Sequence, residues 1–138
     1  YMIFFQTPVL PEYLLKRLGP ERYARLMRRF SVDLTMEQCQ ESLPVSMITA
    51  ANDFGGVHYY RAAARQSAPP ERVLSIPGQV IYGCKDPALG THFLDDSVIR
   101  PWAEHLTLHA LPNTGHWPHL EATATVHTLL THFWEGNA

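Results

Sequence analysis

The sequence predicts an α/β fold in which helices cover a short parallel sheet, and three observations lead to this prediction. In the second half of the chain, two short apolar segments at 79–82 and 106–111 alternate with two helical patterns. This strand–helix–strand–helix order implies parallel strands with helices on both faces. The first half shows only helical patterns with aromatic insertions. Hydrophobic residues make up 46% of the 138 residues, enough for one core of ordinary size.

The first half is predicted to be helical throughout. Pro20 suits the first position of a helix whose apolar stripe recurs at helical spacing. This stripe consists of Tyr23, Leu26, Met27 and Phe30. A capping box at 35–38 starts a second helix, and a third covers 56–65. Two consecutive prolines at 69–70 then break the pattern, so we place the boundary between the two halves after residue 68.

In the second half, the strand at 79–82 follows a Pro-Gly pair, and a helix is predicted at 91–102. The strand at 106–111 leads into a loop at 112–118. The last helix has the cleanest periodicity in the chain. Its apolar stripe consists of Val126, Leu129, Leu130, Phe133 and Trp134. Because two parallel strands do not form a stable sheet, we expect further strands from outside this sequence.

Composition narrows the classes of function. The formal net charge is only −2, from 11 basic and 13 acidic residues, so a nucleic-acid partner is not expected. The sequence has no apolar run of membrane-spanning length and no secretory signal pattern, so we expect no membrane partner. Cys39 and Cys84 lack C-x-x-C spacing, which indicates free thiols in the cytoplasm. We expect neither a metal nor another cofactor.

Two residues are candidates for catalysis. Asp86 follows the first predicted strand and His116 follows the second. Side chains beyond the carboxyl ends of neighbouring parallel strands can meet. A carboxylate on one imidazole nitrogen fixes the tautomer and leaves the other nitrogen free to act as a base. The alternative interpretations are a turn residue before Pro87 and an ordinary loop histidine.

Two stretches at these positions resemble the end of an α/β-hydrolase. The first is Pro77-Gly-Gln-Val-Ile-Tyr-Gly83 followed by Asp86-Pro-Ala-Leu89, and the second is Asn113-Thr-Gly-His-Trp-Pro-His-Leu-Glu121. In that family the triad runs nucleophile, acid, histidine along the chain. The resemblance therefore implies that Asp86 is the acid and His116 the histidine.

The same resemblance implies how the chain is organised. Residues 1–68 correspond to the helical lid, or cap, and residues 69–138 to the C-terminal part of the hydrolase core. The sequence contains neither a G-x-S-x-G nor a G-x-D-x-G nucleophile elbow. We therefore expect the chain to be the C-terminal portion of a hydrolase, incomplete and inactive alone. Its partner would be the missing N-terminal half, either covalently joined or a separate chain.

Two stretches of the lid resemble epoxide hydrolases in particular. Tyr1-Met-Ile-Phe-Phe-Gln-Thr-Pro8 is similar to their Tyr-x-x-x-Phe-Gln-x-Pro stretch. His58-Tyr-Tyr-Arg-Ala62 is similar to their Asn-Trp-Tyr-Arg stretch, with His58 in place of the usual Asn. The resemblance implies that Tyr1 and Tyr60 hydrogen-bond the epoxide oxygen and stabilise its developing charge. The alternative for both tyrosines is aromatic packing.

Three aromatic residues are candidates for contact with a small apolar substrate. Phe4 and Phe5 would line an apolar pocket, or else belong to the core of the lid. Trp117 is adjacent to His116 in sequence, and it packs beside that histidine or contacts the substrate.

The resemblance implies an epoxide-hydrolase-like enzyme. An upstream Asp would form a covalent ester with the epoxide, and water activated by His116 and Asp86 would hydrolyse it. The first alternative is a haloalkane dehalogenase or a serine esterase of the same fold. The second is a non-catalytic interaction module that pairs its exposed sheet edge with a partner chain. A homodimer also remains open.

Overall fold

The computed structural model describes residues 2–43, 55–66, 73–89 and 95–137 of the chain. Its elements are α1 Met2–Gln6, α2 Leu10–Arg29, α3 Met36–Glu41, α4 Gly55–Arg65, β1 Gly78–Gly83, α5 Asp96–Ile99, β2 Leu106–Leu111, α6 Pro118–Glu121 and α7 Thr123–Gly136. These elements belong to two compact units, one drawn from Tyr1–Leu26 and Met36–Pro70 and the other from Met27–Thr35 and Glu71–Ala138. The predicted boundary after residue 68 lies outside the described residues.

The sheet of the second unit confirms both predicted strands and their parallel direction. β1 and β2 pair from Gly78↔Leu106 to Gly83↔Leu111. A parallel bridge between Leu74 and Ala103 precedes them. Because parallel neighbours need a crossover connection, the chain returns through the segment that contains α5. Among the described residues the sheet consists of these two strands.

The connections of the second unit differ in detail from the prediction. The helix predicted at 91–102 is shorter than expected at its C-terminal end, because among the described residues it is α5, which ends at Ile99. Asp95 caps α5 by accepting a hydrogen bond from the Ser97 amide at 2.8 Å. The loop predicted at 112–118 ends in a short helix, α6, that was not predicted. A four-residue helix that begins with a proline is too short to show a periodicity.

In the first unit, α2 has a kink at Gly19, where φ is 65° and ψ is 166°. Only glycine adopts this backbone conformation readily. The kink interrupts the helix at Gly19, and a second helical segment begins at Pro20, as predicted. The helical structure also extends upstream to Leu10, which was not predicted. The predicted helices near 36–41 and 56–65 are confirmed as α3 and α4.

The last helix, α7, is confirmed, but none of its residues is fully buried. Trp134 on its apolar stripe is 66% exposed. The buried hydrophobic residues of the described chain are Ala24, Leu34, Cys39, Leu43, Val57 and Ala103. Most strand residues are only partly buried and no residue of α7 is buried, so the sheet and α7 leave apolar surface exposed. Within the described ranges, no helix combines the length and apolar character needed to cross a membrane.

Candidate active site

Asp86 and His116 meet beyond the carboxyl ends of the two parallel strands. Oδ2 of Asp86 lies 2.7 Å from Nδ1 of His116. The carboxyl side chain is nearly buried, with 7% of its surface exposed, whereas the imidazole is 38% exposed. The structure thus brings together the two residues that sequence analysis paired, with the acid inside and the histidine at the surface.

The other oxygen of Asp86 holds the turn that follows β1. Oδ1 accepts hydrogen bonds from the amides of Ala88 at 2.7 Å and Leu89 at 3.2 Å. Asp86 is therefore both a turn residue and the partner of His116. Burial of the carboxyl raises its pKa, but the hydrogen bonds from His116, Ala88 and Leu89 outweigh burial, and the net pKa lies below its ordinary value.

An ionised carboxylate only accepts hydrogen bonds, so Nδ1 of His116 carries the proton in this pair. In the neutral imidazole, Nε2 is then the proton acceptor. This is the arrangement that a histidine needs to take a proton from water or from a nucleophile.

Backbone contacts hold the two loops together. The amide of Cys84 donates to the Leu111 carbonyl at 2.9 Å, which extends the sheet by one bond, and the amide of Lys85 donates to the Thr114 carbonyl at 3.0 Å. Gly83 packs directly against the backbone of Thr114 and Gly115. Thr114 is buried, with 5% of its surface exposed. The backbone alone therefore sets most of the distance between the Asp86 turn and the His116 loop.

Two aromatic rings stand edge-on to the imidazole of His116. The Trp117 ring centroid is 4.8 Å from it and the Phe30 ring centroid is 5.9 Å from it. The indole Nε1 of Trp117 donates to the Met27 carbonyl at 3.1 Å. Trp117 thus packs beside His116, one of the two roles that the sequence analysis considered for it. Phe30 was predicted only as part of a helix stripe, and no local sequence signal connects it with a residue so distant along the chain.

Three of the residues predicted to act on substrate, Phe4, Phe5 and Tyr60, lie in the first unit. The Phe5 ring is 5.2 Å from the Tyr60 ring, and the Phe4 ring is 5.6 Å from the Phe5 ring. Gln6 donates from Nε2 to the Tyr60 carbonyl at 3.1 Å. These aromatic residues therefore form one cluster between α1 and α4. Tyr1, the other predicted tyrosine, lies outside the described residues.

Arg61 joins the same two helices and was not singled out from the sequence. Its guanidinium forms an ion pair with Glu12 and donates to the carbonyls of Phe5 at 2.9 Å and Thr7 at 2.7 Å. The hydrogen bond from Arg61 lowers the pKa of Glu12. The ion pair is mostly buried, since the Arg61 side chain is 14% exposed. Arg61 thus ties the backbone of Phe5 and Thr7 to α4, the helix that carries Tyr60.

The described residues include no group of three or more His, Cys, Asp or Glu side chains placed to hold a metal ion. Cys84, close to Asp86 in sequence, is an exposed cysteine, and Cys39 is buried.

Comparison with known proteins places this geometry in a known fold. No protein-family model and no curated protein sequence matches the chain. The epoxide hydrolase of Bacillus megaterium in complex with an inhibitor matches with a TM-score of 0.62 and 21% identity, over 98% of this chain and 50% of that one. A mutant of that enzyme bound to its product matches over the same shares, with a TM-score of 0.63 and 22% identity.

A second hydrolase gives a similar result. The 2-hydroxy-6-oxo-6-phenylhexa-2,4-dienoate hydrolase from Rhodococcus sp. strain RHA1 matches with a TM-score of 0.59 and 21% identity, over 94% of this chain and 50% of that one. At such identity the likeness establishes the fold and no more. The chain has the α/β-hydrolase fold, and it spans about half the length of the structures that it matches.

Proposed function

We propose that this chain supplies the acid and the histidine of the catalytic triad in a hydrolase that opens epoxides. The observation that carries the proposal is the 2.7 Å contact between Asp86 Oδ2 and His116 Nδ1 beyond the ends of β1 and β2. The likeness in fold to an epoxide hydrolase supports it. The resemblance of the stretches around Tyr1 and Tyr60 to those of epoxide hydrolases supports the choice of substrate.

The proposed reaction begins with attack of a carboxylate on an epoxide carbon. The carbon–oxygen bond of the ring breaks, an ester forms, and the released oxygen takes a proton from Tyr60 or Tyr1. Two phenol donors suit this step because negative charge develops on that oxygen as the ring opens. Phe4 and Phe5 would contact the apolar part of the substrate.

His116 acts in the second step. Nε2 takes a proton from water, and the resulting hydroxide attacks the ester carbonyl. The ester bond breaks, and the departing alkoxide takes the proton from His116 to give the diol. The carboxyl group thus formed returns its proton to the tyrosinate, so one epoxide and one water yield one diol. Asp86 stabilises the imidazolium that forms on the way.

The nucleophile and the remaining strands of the sheet belong, in this proposal, to residues outside this chain of 138. Within the described chain the sheet has two strands, too few for independent stability. The structures that it matches are about twice as long. The second component is either covalently joined to this chain or a separate polypeptide that adds parallel strands at an open edge.

The test uses the complete protein in which the chain occurs. His116→Ala should allow one round of ester formation and block its hydrolysis, so intact mass spectrometry should detect a protein heavier by the mass of the epoxide. Steady-state diol formation should fall by about 10³-fold or more. His132→Ala, an exposed histidine of α7, is the matched control and should turn over normally. Undiminished turnover by His116→Ala would refute the proposal.

A second candidate is ester hydrolysis through a serine nucleophile. The match to the dienoate hydrolase is nearly as good in TM-score as the match to the epoxide hydrolase. A panel of aryl esters, haloalkanes and epoxides distinguishes the three hydrolase classes. Tyr60→Phe should slow epoxide opening and leave ester hydrolysis unchanged, because an ester needs no acid at that position. The third interpretation, a non-catalytic interaction module, gains no support from an acid and a histidine in hydrogen-bond contact.

A further inference from the structure

We propose that Glu121 is a positioning residue that holds His116 in line with Asp86, an inference that rests on the proposed role of His116 as a base. The Glu121 carboxylate accepts hydrogen bonds from the backbone on both sides of the histidine. Oε2 accepts from the Gly115 amide at 3.0 Å, and Oε1 accepts from the Trp117 amide at 3.1 Å. One side chain therefore holds the backbone before and after His116.

The backbone amide of His116, which lies between those of Gly115 and Trp117, is also hydrogen-bonded. His116 donates its own N–H to the Phe30 carbonyl at 2.8 Å. Glu121 reaches the same neighbouring segment, because its Oε2 also accepts from the Val32 amide at 2.7 Å. Three successive amides of the histidine loop are thus engaged, and a single carboxylate joins this loop to the segment beside Phe30.

Helix α6 explains why Glu121 can reach back over the loop. The amides of Leu120 and Glu121 both donate to the Trp117 carbonyl at 2.9 Å, so the chain turns on itself directly after the histidine. Side chains on a helix tilt towards its N-terminus, which directs the Glu121 carboxylate to the residues that precede α6. Pro118 suits the start of this turn because it has no amide hydrogen to satisfy.

The arrangement needs both side-chain oxygens of Glu121 as acceptors. A carboxylate offers about four acceptor sites on two oxygens, enough for the three amides that it receives. Glutamine would present an NH2 group to at least one amide donor and leave that donor without a partner. Aspartate keeps the charge but is one methylene shorter, so it cannot reach both sides of the histidine. Both changes should let the imidazole drift from the Asp86 carboxylate.

The direct readout is the proton on Nδ1 of His116 in the complete protein in which the chain occurs. Hydrogen-bonded to a carboxylate, it should give a slowly exchanging, low-field proton NMR signal in the wild-type protein, and Asp86→Asn should abolish that signal. Glu121→Gln should broaden or remove it, and Glu121→Asp should weaken it. Glu135→Gln, an exposed glutamate of α7, is the matched control and should leave it unchanged.

Two further measurements complete the test. In the wild-type complete protein, the amide protons of Val32, Gly115 and Trp117 should be protected from hydrogen exchange, a measurement that needs no variant. In the complete enzyme, Glu121→Gln should lower kcat by about 10- to 100-fold with little change in KM, because a small misplacement of a base slows the chemical step.

The proposal is overturned if Glu121→Gln or Glu121→Asp keeps the wild-type Nδ1 proton signal, even when the variant is less stable. Free exchange of the Gly115 and Trp117 amides in the wild-type complete protein would overturn it as well. The NMR signal does not depend on turnover, so failure of the proposed function is seen separately. Normal turnover by His116→Ala would refute the catalytic role of His116, whatever the NMR signal shows.

Discussion

Gly83, the last residue of β1, packs so closely against Gly115 that a Cβ atom on Gly83 would overlap the Gly115 carbonyl oxygen. A Cβ on Gly115 would in turn lie only 2.5 Å from the Phe30 carbonyl oxygen. Glycine at position 83 allows the end of β1 to approach the loop that follows β2, and glycine at position 115 allows that loop to approach the backbone of Phe30. The first approach brings the carboxyl group of Asp86 within reach of the imidazole of His116.

We predict that Gly83→Ala destabilises the chain and moves Asp86 away from His116. The added methyl group meets backbone, which cannot rotate away as a side chain can, so the free energy of unfolding should fall by about 1–3 kcal/mol. Denaturant unfolding measures this change. Gly136→Ala is the control, because a Cβ on this helical glycine meets no atom within 4 Å. That variant should be neutral or more stable by up to about 1 kcal/mol. Equal effects at the two positions would contradict the prediction.

We predict that Asp86 makes stability depend on pH in acid. The pKa of its carboxyl is lowered from 3.8 in the folded chain, so its stabilising contribution is complete above that ordinary value. The contribution is lost as the pH falls through the lower, folded pKa. The difference in unfolding free energy between wild type and Asp86→Asn should therefore be largest near neutral pH and shrink in strong acid. Urea unfolding across acid pH measures it.

The matched control for this experiment is Asp33→Asn, which changes an exposed carboxyl group of the same unit. Its effect on stability should be small, because this side chain is exposed. A constant difference between wild type and Asp86→Asn would show that the folded chain does not favour the ionised form of this group.

We predict that the ion pair between Arg61 and Glu12 stabilises the first unit and that the shape of the guanidinium matters. Arg61→Met should lower the melting temperature more than Arg61→Lys, because methionine leaves the Glu12 carboxylate without its cation, whereas lysine keeps the charge. Lysine should still be weaker than arginine, since one ammonium cannot serve Glu12 and the two backbone carbonyls equally. Thermal unfolding followed by circular dichroism gives the order.

Arg65→Met changes an exposed arginine of the same helix and should leave the melting temperature nearly unchanged. The pKa of Glu12 is lowered in the folded chain, so the stability that its ion pair with Arg61 adds should be lost as the pH falls through that lowered pKa. If Arg61→Met and Arg65→Met have equal effects, the pair does not hold the unit together.

We predict that Gly19 cannot be replaced without cost. Its φ of 65° and ψ of 166° belong to a region that is open almost only to glycine. Gly19→Ala should lower the free energy of unfolding by about 1–3 kcal/mol, although a Cβ there meets no atom within 4 Å. Gly56→Ala, in the helix α4 and equally free of close contacts, should not destabilise. Equal results would show that backbone conformation is not the cause.

We predict the opposite effect at Val9, where φ is 66° in a branched residue. The Leu10 amide donates to the Pro8 carbonyl at 2.7 Å, which closes a tight turn around Val9. Because its side chain is 73% exposed, little packing opposes relief of this strain. Val9→Gly should raise the unfolding free energy by up to about 1 kcal/mol. Val73→Gly, at another exposed valine without a positive φ, should not stabilise.

How far the sequence predicts this molecule depends on whether a feature is local. The apolar segment after Pro77 and Gly78 predicts β1, and the period of α7 predicts a helix, because both signals come from neighbouring residues. The order of these elements predicts parallel strands. The contact between Asp86 and His116 follows from that order, since parallel strands end at the same edge of a sheet.

The sequence by itself thus determined the strands, their direction and the pairing of an acid with a histidine, since these depend on chain order and local periodicity. Only the tertiary structure decided what surrounds that pair. It brought Phe30 against the ring of His116 and placed the Glu121 carboxylate across the loop. Such contacts depend on how distant segments pack, and packing depends on the shape of every neighbour at once, which no local pattern of residues records.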